Sequence, residues 1–454
     1  MRSSFLFPLL AALFTLSACQ SQQAPQPLKP RVLVSTDIGG TDPDDNQSMT
    51  HLLMYANEFD IEGLVSSPSY GTGSKSEILR MISLYESDLP RLAAHADGFP
   101  APDSLRAITV QGRQAEAPID GFGLPTEGSD WIVKCARRND SRPLWVLVWG
   151  ALEDVAQALH DAPDIAPRIR VYWIGGPNKK WGTNAYNYVV RNFPDLWMIE
   201  CNASYRGFIG SAKDSSAFQA PFFNSFMNGA GALGNDFVNY YGGIAKMGDT
   251  PSLLYLMGAS AGFASDPSDP ASDHWGGRFQ PMSQSPAFVI NGPLAVSDTV
   301  PVYSLLEWRL TGPVADIPAD SVCFSLFVDK QSWAGHYVGN GTYVVRYAPK
   351  APASLHYVIS SPIPGFPSHE GDFVVGDRWP AVGLYHLSSP SIVAAPIALG
   401  NSWWTDSDDP SLLSGQSDYE DYLSLNSKWQ GAATVARWRN DVMADWALRF
   451  AWLK

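Results

Sequence analysis

The fold is decided by 31-RVLVSTDIGGTDPDDNQSM-49, where an apolar run leads directly into a glycine-bearing turn that holds four aspartates. The apolar run predicts a strand of the kind that is buried in a parallel sheet, and the residues from about Asn46 predict a helix. Carboxylates held this close together repel one another unless a cation neutralises them. The sequence therefore predicts a strand, an acidic loop and a helix.

The aspartate turn has two interpretations. Oxygen-only ligands at the end of a strand suit a hard divalent cation, and the number of carboxylates favours Ca²⁺ over Mg²⁺. Such an ion lowers the pKa of a bound water, and a neighbouring aspartate can accept its proton at neutral pH. Aspartates beside glycine and proline also form solvated turns, and Asp44 or Asp45 could simply cap the helix. The residues alone leave both interpretations open.

The order of strand, turn and helix recurs over residues 31–285. Apolar runs such as 144-LWVLV-148 and 169-IRVYWI-174 alternate with helical patterns, which predicts an α/β fold with a mostly parallel sheet and helices on both faces. Ligands of such sheets bind beyond the carboxyl ends of the strands. The aspartate turn lies at one of these ends.

The pattern changes near Pro286. Short alternating runs separated by turn residues predict a β-sandwich over residues 286–378. Helical periodicity then returns, so we interpret the sandwich as an insertion and residues 379–454 as a return to the α/β domain with a closing helix. The 16 tryptophans suit either large core residues or exposed platforms for sugar rings.

The N-terminus carries Arg2, a short apolar run and 16-LSAC-19, which is similar to a bacterial lipobox. This pattern predicts a signal peptide over residues 1–18, lipidation of Cys19 and a tether over residues 19–30. The expected location is the bacterial cell envelope, as an outer-membrane lipoprotein held to the membrane by its lipid anchor. An ordinary secretory signal is the alternative.

Composition excludes several classes of function. The formal net charge is −14 and there is no lysine/arginine cluster, so nucleic acid is not an expected partner. The three cysteines after Cys19 are far apart in the sequence, so a zinc or iron–sulfur site is not expected.

Four stretches, in the correct order, resemble the nucleoside hydrolase superfamily: the opening stretch, then VLVWGALEDVAQAL, VYWIGGPNKKWGTNAYN and MGDTPSLLYL. The whole pattern is more similar still to a secreted bacterial branch with members described as cellulose-binding or sucrose-hydrolase-like. The inserted segment resembles an immunoglobulin-like module. The resemblance implies a nucleoside hydrolase-like fold and the hydrolysis of a glycosyl bond with the help of bound Ca²⁺.

The resemblance also implies roles for individual residues. These are Asp37 as metal ligand and general base, Asp45 and Asp249 as metal ligands, a backbone carbonyl near Glu153 as a further metal ligand, and Asp44 and Asn187 as ligands of sugar hydroxyls. Because three residues are inserted between Asp37 and Asp44, Asp42 is a rival metal ligand.

Three positions depart from the family pattern. Ser35 replaces a leading aspartate, Ala185 replaces a glutamate that binds the ribose 5′-hydroxyl, and Gly248 replaces a histidine that assists departure of the base. The resemblance therefore implies a retained metal site and a rebuilt substrate pocket. We expect a Ca²⁺-dependent hydrolase of a glycoside or oligosaccharide. The alternatives are a non-catalytic polysaccharide-binding surface lipoprotein and a true ribonucleoside hydrolase.

Further residues have two interpretations each. The segment 179-KKW-181 could line the pocket or form an exposed loop. His51 could face the site, although a core or surface position is favoured. Asp273 and His274 could supply a late carboxylate or an acid, although a solvated loop is favoured.

Overall fold

The computed structural model describes residues 28–40, 42–209, 223–239, 246–257, 266–380, 383–409 and 429–454. The predicted signal peptide and Cys19 lie outside the described residues, as does most of the predicted tether. Within the described ranges, no helix has both the length and the apolar character needed to cross a bilayer.

The first sheet has eight strands, in the order β3-β2-β1-β4-β5-β6-β19-β7. Its central strand β1 pairs in parallel with β2 on one side and β4 on the other, and the pairing of β19 with β7 is antiparallel. The strands are β1 Arg31–Thr36, β2 Asp60–Ser66, β3 Thr109–Gln111, β4 Leu144–Val148, β5 Ile169–Ile174, β6 Met198–Cys201, β7 Phe279–Pro281 and β19 Trp403–Asp406.

Helices cover both faces of this sheet. Successive residues of β1 enter different cores: Val32 packs in one apolar cluster with Leu52 and Trp446, and Leu33 packs in another with Ile132 and Leu159. The predicted mostly parallel α/β fold is therefore confirmed. The helices are α1 Asp44–Met54, α2 Lys75–Ala93, α3 Pro102–Ala107, α4 Glu127–Ala136, α5 Glu153–Asp161, α6 Gly176–Trp181, α7 Thr183–Asn192, α8 Gly231–Asn239, α9 Thr250–Leu254, α10 Ala432–Ala436 and α11 Arg439–Ala451.

The second sheet forms an additional β domain, as predicted. It has nine strands in the order β10-β16-β15-β12-β13-β14-β11-β9-β17. They are β9 Ala287–Ile290, β10 Thr299–Pro301, β11 Leu305–Thr311, β12 Ser321–Val328, β13 Gln331–Tyr337, β14 Thr342–Tyr347, β15 Ala353–Ser360, β16 His369–Gly376 and β17 Ile392–Ala394. A separate two-stranded pair consists of β8 Gln284–Ser285 and β18 Ile397–Ala398. In the sequence, β8 comes just before the second sheet and β18 just after it.

The second sheet folds over on itself. Strands β11 and β16 are five positions apart in the sheet order, a separation of roughly 24 Å if the sheet were flat. The rings of Trp308 on β11 and Phe373 on β16 nevertheless have centroids 6.3 Å apart. Both belong to a separate apolar core, so the sheet encloses its own interior in the manner of a sandwich.

The ends of the β domain differ from the predicted boundary. Strand β17, residues 392–394, pairs with β9, so the second sheet continues beyond residue 378, where we predicted its end. The chain leaves the first sheet after β7 and returns to it in β19, and these two strands are neighbours. The insertion therefore starts and finishes at one edge of the α/β sheet.

Candidate functional site

The turn after β1 is held by side chains of its own sequence. The hydroxyl of Thr36 donates to the carboxylate of Asp45 and accepts from the backbone N–H of Ile38 at 3.1 Å. At Gly39 φ is +92°, and a Cβ there would lie 2.7 Å from the Cβ of Ser74. Only glycine fits this position, which lets the chain turn sharply from the end of β1 into α1.

Three carboxylates from two separate parts of the chain meet at this turn. Asp44 and Asp45 begin α1, and Asp249 precedes α9; one oxygen from each lies within 4.8 Å of the others. Asp45 is 5% exposed and Asp249 is 2% exposed. Buried Oδ2 of Asp249 and Oδ1 of Asp42 have no hydrogen-bond partner among the described residues. The other oxygen of Asp42 pairs with Lys246.

These carboxylates are costly to ionise in the absence of a cation. Burial, followed by repulsion from neighbouring carboxylates, raises the pKa of Asp44, Asp45 and Asp249 well above its usual range. Burial raises the pKa of Asp37 to about 6, although hydrogen bonds with Asp45 and Ser69 act in the opposite direction. Crowded oxygen donors and a buried oxygen without a partner fit a hard divalent cation.

A cavity of about 530 Å³ opens over the carboxylates. It is lined by residues from both domains, since two of its side chains, Gln331 and Lys350, come from the β domain. Besides the five aspartates at positions 37, 42, 44, 45 and 249, the lining side chains that matter below are Ser69, Tyr70, Asn178, Trp181, Gln331 and Lys350.

Helix α6 supplies part of this wall, where the sequence pattern indicated a loop. Asn178 donates from Nδ2 to the carbonyls of Trp149 at 2.7 Å and Ile174 at 3.0 Å, and its Oδ1 accepts from the hydroxyl of Ser69 at 2.5 Å. Asn178 is not among the site residues predicted from the sequence. The sequence feature that could have identified it is an amide side chain four residues after the carboxyl end of β5, where ligands of parallel sheets bind.

Asn187 is not among the residues that line the cavity, and its predicted contact with sugar hydroxyls stays a prediction. It lies on α7, where its Oδ1 accepts from Nε of Arg191 at 2.7 Å. The cause is the short helix α6, which places Asn178 rather than Asn187 next to the end of β5.

Glu153 begins α5 and is buried, but its side chain is also absent from the cavity wall. Its Oε1 is 3.4 Å from the backbone nitrogen of Ala117, and a Cβ on Gly182 would lie 2.8 Å from its Oε2. The predicted metal ligand near Glu153 is a backbone carbonyl rather than the side chain, and its contact with a metal stays a prediction.

Gly248, one of the departures from the family pattern, packs against the acidic cluster. A Cβ added there would lie 2.8 Å from Oδ2 of Asp44. A histidine at residue 248 would therefore displace this carboxylate. The observed position of Asp44 depends on glycine at residue 248.

The remaining candidates are mostly structural. Lys179 and Lys180 are each 1% exposed, and they pair with Glu200 and Asp329 respectively. His51 is buried, with its ring stacked on Trp446 at a centroid distance of 4.0 Å, as the core interpretation expected.

The pair at 273–274 lies away from the cavity. Asp273 pairs with Arg437, and the ring of His274 stacks on Tyr255 at 4.1 Å. Neither residue is part of the cavity wall, and His274 is fully buried rather than in a solvated loop.

A match to a known protein family identifies the family of this chain. Residues 31–279, more than half of the chain, match the family described as "Cellulose-binding Sde182, nucleoside hydrolase-like domain". The chain belongs to this family. The Sde182-like domain coincides with the strands and helices that build the acidic cluster, and the resemblance inferred from sequence is confirmed. Residues 299–362, within the β domain, match a domain of unknown function, DUF5060.

Solved structures with detectable similarity to this Sde182-family chain are distant. A nucleoside hydrolase-related hypothetical protein from Saccharophagus degradans, associated with carbohydrate metabolism, is 20% identical, with 77% of this chain and 100% of that chain covered and a TM-score of 0.47. An inosine-uridine preferring nucleoside hydrolase from Bacillus anthracis is 13% identical, with coverages of 57% and 86% and a TM-score of 0.33. No curated protein matches the chain.

Proposed function

We propose that this protein hydrolyses the glycosyl bond of a glycoside or oligosaccharide and that it depends on a bound divalent cation, Ca²⁺. The observation that carries the proposal is the meeting of Asp44, Asp45 and Asp249 within 4.8 Å in a cavity that Asp37 also lines. Clustered buried carboxylates stay ionised only with a compensating charge. The family is described as nucleoside hydrolase-like, and the resemblance to nucleoside hydrolases implies hydrolysis of a glycosyl bond.

The chemistry divides among the cavity residues. Asp37, Asp45 and Asp249 would hold the cation, with Asp42 as a rival ligand, and the cation when bound would acidify a water and orient sugar hydroxyls. Asp37 accepts one proton of the attacking water while the water oxygen bonds to the anomeric carbon; the glycosyl bond breaks, and its leaving oxygen takes a proton from solvent. Asp44 accepts a hydrogen bond from a sugar hydroxyl. The negative charge of the cluster stabilises an oxocarbenium-like transition state.

Two observations favour a glycan over a nucleoside. Ala185 is buried and has no carboxylate, so it cannot bind the ribose 5′-hydroxyl as the glutamate that the family resemblance implies at this position would. Tyr70 and Trp181 line the cavity with ring centroids 4.9 Å apart, and aromatic rings provide apolar surfaces against which sugar rings pack. The description of the family as cellulose-binding supports the same choice.

The test is turnover of aryl glycosides, glucose oligosaccharides, sucrose and inosine by the purified protein in Ca²⁺ and then in EDTA. We expect turnover of a glycoside or oligosaccharide, loss of that turnover in EDTA, and a fall of about 10²–10⁴-fold in kcat for Asp37→Asn. The exposed Asp97 provides the matched control, and Asp97→Asn retains full activity. Turnover that persists unchanged in both EDTA and Asp37→Asn contradicts the proposal.

A second function is favoured by the family description itself. A polysaccharide-binding protein without turnover would use the same cavity and aromatic residues, and the family is described as cellulose-binding. Binding to an insoluble glycan with no turnover of any compound in the panel establishes this alternative. Turnover of inosine alone would instead indicate a ribonucleoside hydrolase.

We also propose that the chain is anchored in the bacterial cell envelope through lipidated Cys19. Support comes from the LSAC motif after a short apolar run. Metabolic labelling with a radioactive fatty acid is expected to mark the protein and not its Cys19→Ser variant. Equal labelling of the two would contradict the proposal.

A further inference from the structure

The cavity continues onto the β domain. Gln331, the first residue of β13, and Lys350, which follows β14, line the same cavity as the aspartates of the α/β domain. The family match that accounts for the acidic cluster ends at residue 279, so these two side chains lie outside the nucleoside hydrolase-like domain.

A tight hairpin positions Gln331. Asp329 and Lys330 connect β12 to β13, and Val328 pairs directly with Gln331. Both turn residues have positive φ, +51° and +62°, although residues other than glycine disfavour this left-handed backbone. Asp329 is fixed by an ion pair of 2.6 Å with the buried Lys180 of α6. The hairpin is therefore held against the α/β domain, which fixes the position of Gln331.

An aromatic series crosses the junction between the domains. Ring centroids are 4.9 Å apart for Tyr70 and Trp181, and 5.5 Å apart for Trp181 and Trp333. Tyr70 is 62% exposed, so an aromatic surface remains open to a ligand. Lys350 places its Nζ 5.5 Å from the centroid of Trp181. Apolar ring faces next to polar groups are the usual features of a sugar-binding surface.

Polar groups at this surface lack partners. Oε1 of Gln331 is buried and has no hydrogen-bond partner among the described residues. Lys350 has no ion-pair partner in the described part of the chain, unlike the neighbouring Lys180. A buried amide oxygen without a partner is costly, and a ligand hydroxyl that donates to it would remove that cost.

We propose that Tyr70, Trp181, Gln331 and Lys350 form a second sugar-binding subsite, and that the ligand is a glycan of at least two rings that extends from the aspartates to the β domain. The proposal rests on the proposed function for the identity of the first subsite. One ring packs on Trp181 and Tyr70, a hydroxyl donates to Gln331, and Lys350 donates to a ring substituent. The cavity volume of about 530 Å³ lies within the range of about 300–1,000 Å³ that small-molecule sites occupy.

The test is calorimetric binding in Ca²⁺ to the Asp37→Asn variant, which is expected to turn over glycans too slowly to interfere. The probes are cellotetraose, laminaritetraose and maltotetraose, with methyl glucoside as the single-ring reference. We expect at least one tetrasaccharide to bind at least tenfold more tightly than methyl glucoside. Adding Gln331→Ala or Lys350→Met is expected to reduce that ratio about tenfold. Ser332→Ala changes an exposed neighbour of Gln331 and Lys134→Met changes an exposed lysine outside the cavity wall, and both serve as matched controls.

Two results overturn the subsite: no tetrasaccharide binds better than methyl glucoside, or the Gln331 and Lys350 variants bind like their controls. These results are separable from the fate of the proposed function. If the unmodified protein hydrolyses no glycoside and the binding ratio still falls in both variants, the enzyme proposal fails and the subsite stands. If hydrolysis occurs and the ratio does not change, the subsite fails and the enzyme proposal stands.

Discussion

Nζ of Lys180 lies 2.6 Å from Oδ2 of Asp329, which joins helix α6 of the α/β domain to the hairpin tip of the β domain. Lys180 is 1% exposed and burial lowers the pKa of its ammonium group. Its charge is therefore maintained by a partner that lies 149 residues later in the sequence.

Removing Asp329 is expected to destabilise the protein more than removing the whole ion pair. Asp329→Ala leaves a buried ammonium group without its partner, which costs about 2–3 kcal/mol in unfolding free energy. The double variant Lys180→Met/Asp329→Ala removes the charge as well and is expected to recover at least half of that loss. Urea unfolding measures both, and a double variant less stable than Asp329→Ala would contradict the account.

Lys179 and Glu200 form a second buried pair, in which Glu200 also accepts from Tyr186 at 3.0 Å and Asn202 at 2.9 Å. Lys179→Met leaves this carboxylate buried without its cation, so we expect a loss of about 3–5 kcal/mol. The partly exposed Lys75 supplies the control, and Lys75→Met is expected to change stability by less than about 0.5 kcal/mol. Equal changes in unfolding free energy for Lys179→Met and Lys75→Met would show that the buried pair does not stabilise the protein.

The stability of the protein is expected to depend on pH through His51. Burial against Trp446 lowers the pKa of His51 to about 3, whereas the unfolded chain binds its proton near pH 6.5. The unfolding free energy is therefore independent of His51 well above pH 6.5. It decreases as the pH falls from 6.5 towards 3, because only the unfolded chain binds the proton in this range. Between pH 6.5 and 5 the loss is about 1.5 kcal/mol.

The matched variant for this pH effect is His51→Phe, which retains an aromatic ring and cannot be protonated. Unfolding free energies are measured in urea at both pH values for the two proteins. The wild-type protein is expected to lose about 1.5 kcal/mol more than the variant over this interval. Identical pH dependence would mean that His51 is accessible to protons in the folded state.

Much of the α/β domain could be predicted from local pattern. An uninterrupted apolar β1 indicates a strand buried on both faces, and the turn that follows it can lie only at the carboxyl edge of a parallel sheet. The meeting of Asp45 with Asp249 followed from the family resemblance, since 204 positions separate them in the chain.

Other features depend on contacts that no local pattern encodes. The segment 176-GPNKKW-181 contains glycine, proline and two lysines, which indicate a loop, yet buried ion pairs to Glu200 and Asp329 stabilise it as α6. That helix explains why Asn178 rather than Asn187 lines the cavity. The position of Gln331 in the cavity wall likewise depends on how the hairpin between β12 and β13 packs against the α/β domain.

Calcium is expected to stabilise the protein by an amount that rises with the logarithm of its concentration once that concentration exceeds Kd. At a concentration of 100 times Kd, binding adds about 2.7 kcal/mol to the unfolding free energy. The gain is expected to shrink between pH 7 and pH 5, because burial raises the pKa of Asp37 to about 6 and protons then compete with the ion. Thermal unfolding with and without EDTA measures the effect.

The variants for the calcium experiment are Asp249→Asn and Asp97→Asn. The first removes a buried ligand charge and is expected to abolish most of the stabilisation, and the second changes an exposed carboxylate and is expected to preserve it. A calcium response that is the same in both variants would place the ion elsewhere on the protein.

The most direct measurement for the central claim is anomalous X-ray diffraction from crystals grown with excess Ca²⁺. We expect one strong anomalous peak among the carboxylates of Asp37, Asp45 and Asp249, and no such peak in the Asp249→Asn variant. An ordered cluster with no peak at that position would contradict the account.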